Sequence, residues 1–474
     1  MRCAAPGVLG FSLAVPAMYF AQQNPPSQGR EVTRLYAEKC SGCHGPEMSG
    51  GSAPSLASGN LRFGGDDASL TKSIRSGHPE AGMPATEGLN DAEVRALVVL
   101  IHEKRAAFEV AHTKYNAPTT GAIVQGENES FKLEPVMETG LAEPWAIAFL
   151  PDGRMLVTER PGRLRIIEGG RLLPEPVHGT PAVYGGEGGL LDIALHPNYS
   201  REGNDWIYLS YGDKSPDGLG MTAVIRGRLR GDALVDQQQI FKANFSLYRP
   251  GGQRFGSRLL FDRTGYLFFS IGDRAAPGDE QDLSRPNGKV HRVNDDGSIP
   301  PDNPFVDRPG ALPSIWTYGD RNPQGLAFSP VTGQLWECEH GPRGGDEINI
   351  LERGHNYGWP VITYGINYDG TPITDHTAQP GMDQPVTYWV PSIAASPIAF
   401  YHGARFPAWS NNLFVGSLAA QELRRLVIDG QSVSHQEILF KGIGRVRDVV
   451  NGPDGDLYIV LNQPDRIVRL APAS

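Results

Sequence analysis

Ile147-Ala148-Phe149-Leu150-Pro151-Asp152-Gly153-Arg154-Met155-Leu156-Val157 reads as a short apolar strand, a Pro-Asp-Gly turn and a second strand. Proline presets φ for such a turn, and glycine supplies the positive φ that reverses the chain. The unit recurs along the chain. Its later copies are Ile193–Leu195 with Gly203-Asn204 and Trp206–Tyr208, Leu259–Phe261 with Thr264-Gly265 and Leu267–Phe269, and Leu326–Phe328 with Thr332-Gly333 and Leu335. Ile398–Phe400 with Leu413–Val415, and Val449-Val450 with Pro453-Asp454-Gly455 and Leu457–Ile459, complete the series. The second strands begin 51, 61, 68, 78 and 44 residues apart. Six strand–turn–strand copies at sustained spacing predict radial repetition, a six-bladed β-propeller whose closure removes exposed sheet edges. A sandwich or barrel has no need of such a repeat.

Upstream of the repeat stands Cys40-Ser41-Gly42-Cys43-His44, a Cys-x-x-Cys-His run that reads as c-type haem attachment. Two thiols one helical turn apart add to the porphyrin vinyls, and the adjoining imidazole reaches the iron. Zinc would need a second cysteine pair, and a thioredoxin-like redox pair would need a βαβ context. Met83, between Gly82 and Pro84, is the candidate second axial ligand, a thioether suited to electron transfer. Leu35, Tyr36 and Lys39 precede the motif on a predicted helix. Asn90 followed by Glu93 reads as a helix N-cap with an acid at N3, opening a helix with Val94, Leu97, Val98 and Ile101 on one face. Residues 29–108 thus resemble a small class I cytochrome c. The fold class is mainly β, a six-bladed propeller preceded by a small all-α cytochrome domain.

Composition agrees. Glycine (58) and proline (39) make up roughly a fifth of the 474 residues, against about an eighth in an average protein, without a collagen-like period. A formal net charge of −10 with no basic run argues against nucleic acid and anionic membrane as partners. The apolar stretch Gly7–Phe20 is too short to cross a hydrocarbon core of about 30 Å as a helix, and suits the h-region of a signal peptide. Residues 1–21 are therefore expected as a leader. The mature chain is expected without a membrane span, in the periplasm or secreted. Periodicity lapses after the cytochrome, so a linker is expected over 109–133 and the propeller over 134–474. Cys338 stands alone and reads as a buried filler.

Equivalent propeller loops open at one end of the central channel. The residues before each repeated first strand therefore converge: Trp145; Glu187; Gln253, Arg254 and Arg258; Asp320, Arg321, Asn322 and Gln324; Ser392 and Ser396; Arg445 and Arg447. Taken singly, each of the five arginines in that set reads as a surface cation or a structural partner of Asp273 or Asp448; clustered at one mouth from three blades, they suggest a ligand with several carboxylates or phosphates. The loops resemble the soluble quinoprotein sugar dehydrogenases, closest to the aldose sugar dehydrogenase branch, from about residue 134 to 472. The resemblance is carried by Glu187-Gly188-Gly189-Leu190-Leu191 with His196-Pro197, Phe255-Gly256-Ser257-Arg258-Leu259 and Arg321-Asn322-Pro323-Gln324-Gly325-Leu326-Ala327-Phe328. Glu339-His340-Gly341-Pro342, Asp346-Glu347-Ile348-Asn349, Asn356-Tyr357-Gly358-Trp359-Pro360 and Arg445-Val446-Arg447-Asp448 complete it.

That resemblance implies a propeller binding pyrroloquinoline quinone (PQQ) and Ca²⁺ and oxidising a sugar or alcohol. Arg321 and Asn322 then grip quinone and carboxylate oxygens, Arg445 and Arg447 clamp the remaining carboxylates, and Glu187 and Gln253 contact the cofactor. Gly341 and Pro342 are implied as carbonyl ligands of Ca²⁺, and Glu347 and Tyr357 as members of a second calcium site. The family's general-base histidine is Arg254 here, while its aspartate partner persists as Asp273. An arginine does not surrender its proton near neutral pH. The histidine before the Arg-Asn pair is Asp320, which the sequence suggests could face Arg254 across the mouth, and a lysine of one branch is Ala419. The leading expectation is a dehydrogenase that passes electrons to its own tethered haem and on to a cytochrome or oxidase, with Glu187, Asp273 or His340 as base. The alternatives are a PQQ- or anion-binding electron-transfer or sensing module without sugar turnover, and a calcium-dependent lactonase-type hydrolase.

Overall fold

The computed structural model describes residues 28–200 and 203–473; the expected leader lies outside the described residues. The N-terminal part carries four helices: α1 (Val32–Lys39), α2 (Ser41–His44), α3 (Asp67–Ser76) and α4 (Asp91–His112). The predicted start of α4 forms a full capping box. Asn90 accepts from the Glu93 amide, and the Glu93 carboxylate accepts from the Asn90 amide. Val32, Leu35 and Tyr36 of α1, Leu70 and Ile74 of α3, and Val94, Leu97, Val98 and Ile101 of α4 close one apolar core.

Six antiparallel sheets follow among the described residues, five of four strands and one of five. The mainly β, six-bladed architecture is the one the repeat predicts. The first strand of each repeat is the innermost of its blade: Pro144–Phe149, Leu190–Leu195, Leu259–Phe261, Pro323–Phe328, Ala395–Phe400 and Arg445–Asn451. Each inner strand packs on the next, and the last packs on the first. Apolar side chains from adjacent blades interleave, as where Trp145, Leu156 and Ile166 meet Leu190, Ile207 and Ile225.

The ring is closed by chain ends. Ser130–Met137 pairs antiparallel with the C-terminal Arg466–Pro472, with Leu133 opposite Leu470, and Ile123–Gln125 adds an outer strand. Both closing strands begin inside the stretch expected as linker, and α4 runs on to His112. Only Val124, Phe131 and Leu133 are buried there, too few apolar positions for an alternating pattern to show in the sequence. No helix among the described residues is long and apolar enough to cross a membrane.

Candidate functional site

At the channel axis, Arg258 from the third blade lies 3.0 Å from Asp448 and 3.3 Å from Asp192, carboxylates of two other blades, with its guanidinium 4.4 Å from the centre of the Trp145 ring. All three charged groups are buried. Arg258, open in the sequence between a ligand cation at the mouth and a structural partner of Asp448, is a tie across the ring. Its two carboxylate partners leave it no charge to offer a ligand.

The other four arginines of the set remain together. Arg321 is 2% exposed; its Nη1 donates to the carbonyls of His340 and Gly341, both at 2.7 Å, and its Nη2 to the Tyr368 hydroxyl at 3.3 Å. Its Nε is buried without a partner. Arg447 makes only long contacts, 3.4 Å to Gln324 and 3.5 Å to Asn462, and Arg445 one of 3.4 Å to the Leu418 carbonyl. Burial, then the neighbouring Arg445 and Arg160 charges, pushes Arg447 down to about 9. His340 sits among them. Burial and the Arg447, Arg321 and Arg445 charges lower it to about 3, and its Nε2 is an orphaned buried atom. Asn322 reaches its Nδ1 at 3.3 Å. Under-neutralised guanidiniums around an imidazole whose Nε2 lacks a hydrogen-bond partner suit a multiply anionic ligand.

Arg254 turns inward. Its Nη1 donates to Asp273 at 2.8 Å, its amide donates to Glu187 at 2.7 Å, and its backbone is left-handed at φ 54°. Burial alone would lower its pKa, but Asp273, with Tyr368 and Glu187, more than offsets that and holds the guanidinium charged. Asp273 also accepts from the Trp359 indole at 3.1 Å. Glu187 is exposed, and Gln253 lies half-buried beside it. The expected opposition of Arg254 and Asp320 is not formed. The guanidinium pairs with Asp273 of its own blade, and Asp320 is wholly buried with neither oxygen hydrogen-bonded.

Asp320 belongs to a buried acidic group with Glu337, Glu339 and Glu347. Burial, reinforced by neighbouring carboxylates, raises Asp320, Glu337 and Glu347 well above their ordinary range. Glu339 stands at about 7, raised by burial and restrained by the Arg321 and Asn322 amides. The loop beside it is tightly specified. A Cβ on Gly341 would lie 2.3 Å from the Gly344 carbonyl, so only glycine fits. The Gly341 amide donates to Asp346 at 2.8 Å, and Pro342 is buried next to it. A cation on the Gly341 carbonyl would compete with the Arg321 guanidinium for that oxygen. The Tyr357 hydroxyl donates to the Ile350 carbonyl at 2.7 Å and accepts from the Glu352 amide at 2.8 Å, so any part it plays in ion binding falls to its backbone. Among the described residues, no group of three or more His, Cys, Asp or Glu side chains surrounds a common metal position.

Three mouth residues escaped the sequence reading: Arg160, whose charge reaches Arg445 and Arg447; Arg274, stacked 3.5 Å over Phe255; and Tyr368. Arg160 directly follows one second strand and Arg274 comes three residues after another, and the ends of second strands open at the same face as the starts of the first strands. That position is their signal. Tyr368 sits in a long loop with no repeat to mark it.

In the helical part, Cys40 ends α1, Cys43 is exposed, and both thiols are free. The His44 Nδ1 lies 2.8 Å from the Pro54 carbonyl, a bond that fixes the ring and leaves Nε2 for iron. Met83 is half-buried and bridges by backbone to His78. This donor set suits a c-type haem.

Residues 141–469 match the glucose/sorbosone dehydrogenase family, and residues 27–101 match cytochrome c oxidase, cbb3-type, subunit III. The aldose sugar dehydrogenase YliI of Escherichia coli is 42% identical over 345 residues, 71% of this chain and 92% of that one. A crystal structure of glucose dehydrogenase, 42% identical, superposes with a TM-score of 0.69 over 72% of this chain and all of the other. The PQQ-bound form of aldose sugar dehydrogenase from Streptomyces coelicolor, 27% identical, gives 0.59 over 73% of this chain and 99% of its own. With that family match over most of the chain and relatives 42% identical, the chain belongs to the glucose/sorbosone dehydrogenase family and carries a cbb3-type cytochrome c domain ahead of its propeller.

Proposed function

We propose that this quinoprotein-like oxidoreductase oxidises a sugar or alcohol at the propeller mouth with PQQ and Ca²⁺, and delivers the electrons to a c-type haem held by Cys40, Cys43, His44 and Met83. The observation that carries the reading is the meeting of Arg321, Arg445 and Arg447 around His340 with too few acidic partners. Three carboxylates on one planar ligand would complete those guanidiniums. PQQ held there would supply a two-electron acceptor for the substrate, and a haem held by Cys40, Cys43, His44 and Met83 would supply one-electron transfer.

The chain's own residues divide the remaining work. Arg321 and Asn322, with Gln253, orient the ligand. Arg445 and Arg447 hold its far side. The carbonyls of Gly341 and Pro342 offer oxygen to Ca²⁺, with Glu347 and the Tyr357 backbone near a second ion. Arg254 keeps its proton and locks Asp273, so proton removal falls to Glu187, whose Oε2 accepts from the Arg254 amide and whose Oε1 is left for a substrate hydroxyl. The cytochrome domain spans about 29–108 and the propeller 134–474, closed by the preceding strands. The Gly7–Phe20 stretch supports export to the periplasm or beyond. A downstream cytochrome or oxidase receives the electrons.

The test is to load the haem protein with PQQ and Ca²⁺, offer sugars and alcohols, and follow haem reduction. Substrate-dependent reduction supports the reading. The Arg254–Asp273 pair favours a second one, binding without turnover, which PQQ binding with no haem reduction by any donor would establish.

A further inference from the structure

The sequence suggests a cytochrome on a tether. The structure shows it seated. Glu103, on α4, takes the Arg343 guanidinium side-on, with Nε at 2.8 Å from one oxygen and Nη2 at 2.8 Å from the other. Arg95 of α4 donates to the Tyr364 carbonyl at 3.0 Å and lies over its ring, and Tyr388 reaches Asp67 of α3 at 3.4 Å. His102 and Arg95 overcome the effect of burial to hold Asp67 far below the usual carboxylate range, so it meets the propeller as an anion. Two backbone bonds add to this, Val32 amide to Gly370 carbonyl at 3.0 Å and Gln28 amide to Pro372 carbonyl at 3.1 Å. Ile366, a propeller residue 1% exposed, is packed into the helical domain's own core.

The propeller segments that make this contact also carry the mouth. Arg343 directly follows Gly341-Pro342. Its amide and carbonyl are both bonded to Ile366, at 3.1 and 3.0 Å, which joins the two loops. Two residues after Ile366, Tyr368 accepts the hydrogen bond from Arg321. A continuous path of hydrogen bonds and backbone therefore runs from Glu103 through Arg343 and Ile366 to Tyr368 and Arg321.

We infer that the cytochrome domain is a fixed wall of the mouth and that Glu103 is a positioning residue, setting the Gly341–Arg343 and Tyr364–Pro372 loops from outside the propeller. The inference deepens the proposed function, and its ligand-binding arm rests on it. A rigid link through packed and charge-paired groups transmits position, whereas a flexible tether raises only effective concentration.

The test uses the full-length haem protein and Glu103→Arg, which places two cations face to face, with Glu103→Arg/Arg343→Glu as the restoring pair. The first readout, amide hydrogen exchange without cofactor, does not depend on PQQ. In Glu103→Arg, segments 340–347 and 363–372 are expected to exchange at least tenfold faster while the inner strands stay protected, and the double variant returns them toward wild type. The second readout is PQQ affinity in the presence of Ca²⁺, expected to weaken five- to tenfold and to recover with the pair. Unchanged exchange in both segments while a cross-link between α4 and the propeller is lost would overturn the inference. Faster exchange with unaltered PQQ affinity would also overturn it, since the wall would then not set the mouth. Wild-type protein that binds no PQQ would instead defeat the proposed function, with the exchange readout still deciding the positioning role. Should Glu103→Arg fold poorly, Glu103→Gln keeps the shape, removes the charge, and is expected to give a smaller shift in the same direction.

Discussion

Replacing Arg258 by methionine removes the cation between Asp192 and Asp448 while keeping much of the apolar stem over Trp145. In the wild type the guanidinium serves both carboxylates and donates from Nε to the Gln324 carbonyl at 3.0 Å. Breaking a buried ion pair by removing one partner costs about 3–5 kcal/mol, because the uncompensated charge stays behind. At about 2.1 cal/mol/K per residue, a propeller of roughly 340 residues loses about 1.4 °C per kcal/mol, so the melting temperature should fall by about 4–7 °C. The deficit should depend on pH. Asp192 already stands at about 6, raised by burial and lowered in turn by Arg258. Without that cation both carboxylates titrate higher still. The folded state then binds more protons than the unfolded state above pH 4, and stability drains away as pH rises through the folded values. Calorimetry at pH 5 and pH 8 should show the smaller loss at pH 5, and adding Asp192→Asn should recover part of it. A variant melting within 1 °C of wild type at pH 8, or a deficit equal at both pH values, would refute the account of Arg258 as a tie.

Arg254→His restores an acid–base group beside Asp273, and general-base catalysis is typically worth 10²-fold or more, so aldose-dependent haem reduction should rise about a hundredfold at pH 8. No rise, with PQQ still bound, would show that this position does not limit turnover. Met83→Ala should keep the haem covalently attached but lower its potential by on the order of 0.1–0.3 V, within the roughly 0.8 V span that axial ligands command. An unchanged potential by redox titration would remove Met83 from the iron.

The comparison of sequence with structure divides along local and non-local lines. The strand–turn–strand repeat, the Asn90–Glu93 cap and the Cys40–His44 motif were legible because each is written in adjacent residues. So was the convergence of Arg321, Arg445 and Arg447, since a repeat with known ring closure tells which loops share an end. For Arg258 the sequence left ligand binding and pairing with Asp448 both open, because Asp192 and Asp448 lie 66 and 190 residues away and only their meeting makes it a structural cation. Arg254 likewise could be read as a lost base, but its pairing with Asp273 rather than Asp320 is set by how two blade loops stack.

The sequence by itself determined a six-bladed ring, a helical cytochrome c domain and an arginine-rich opening, since period, spacing and charge are properties of the chain in order. Tertiary structure alone decided which charges neutralise one another, where Tyr368 stands, and that Glu103 and Ile366 seat the cytochrome against the loops of the mouth. Those facts depend on distances between residues far apart in the chain, and burial makes each such distance decide whether a charge is free or spent.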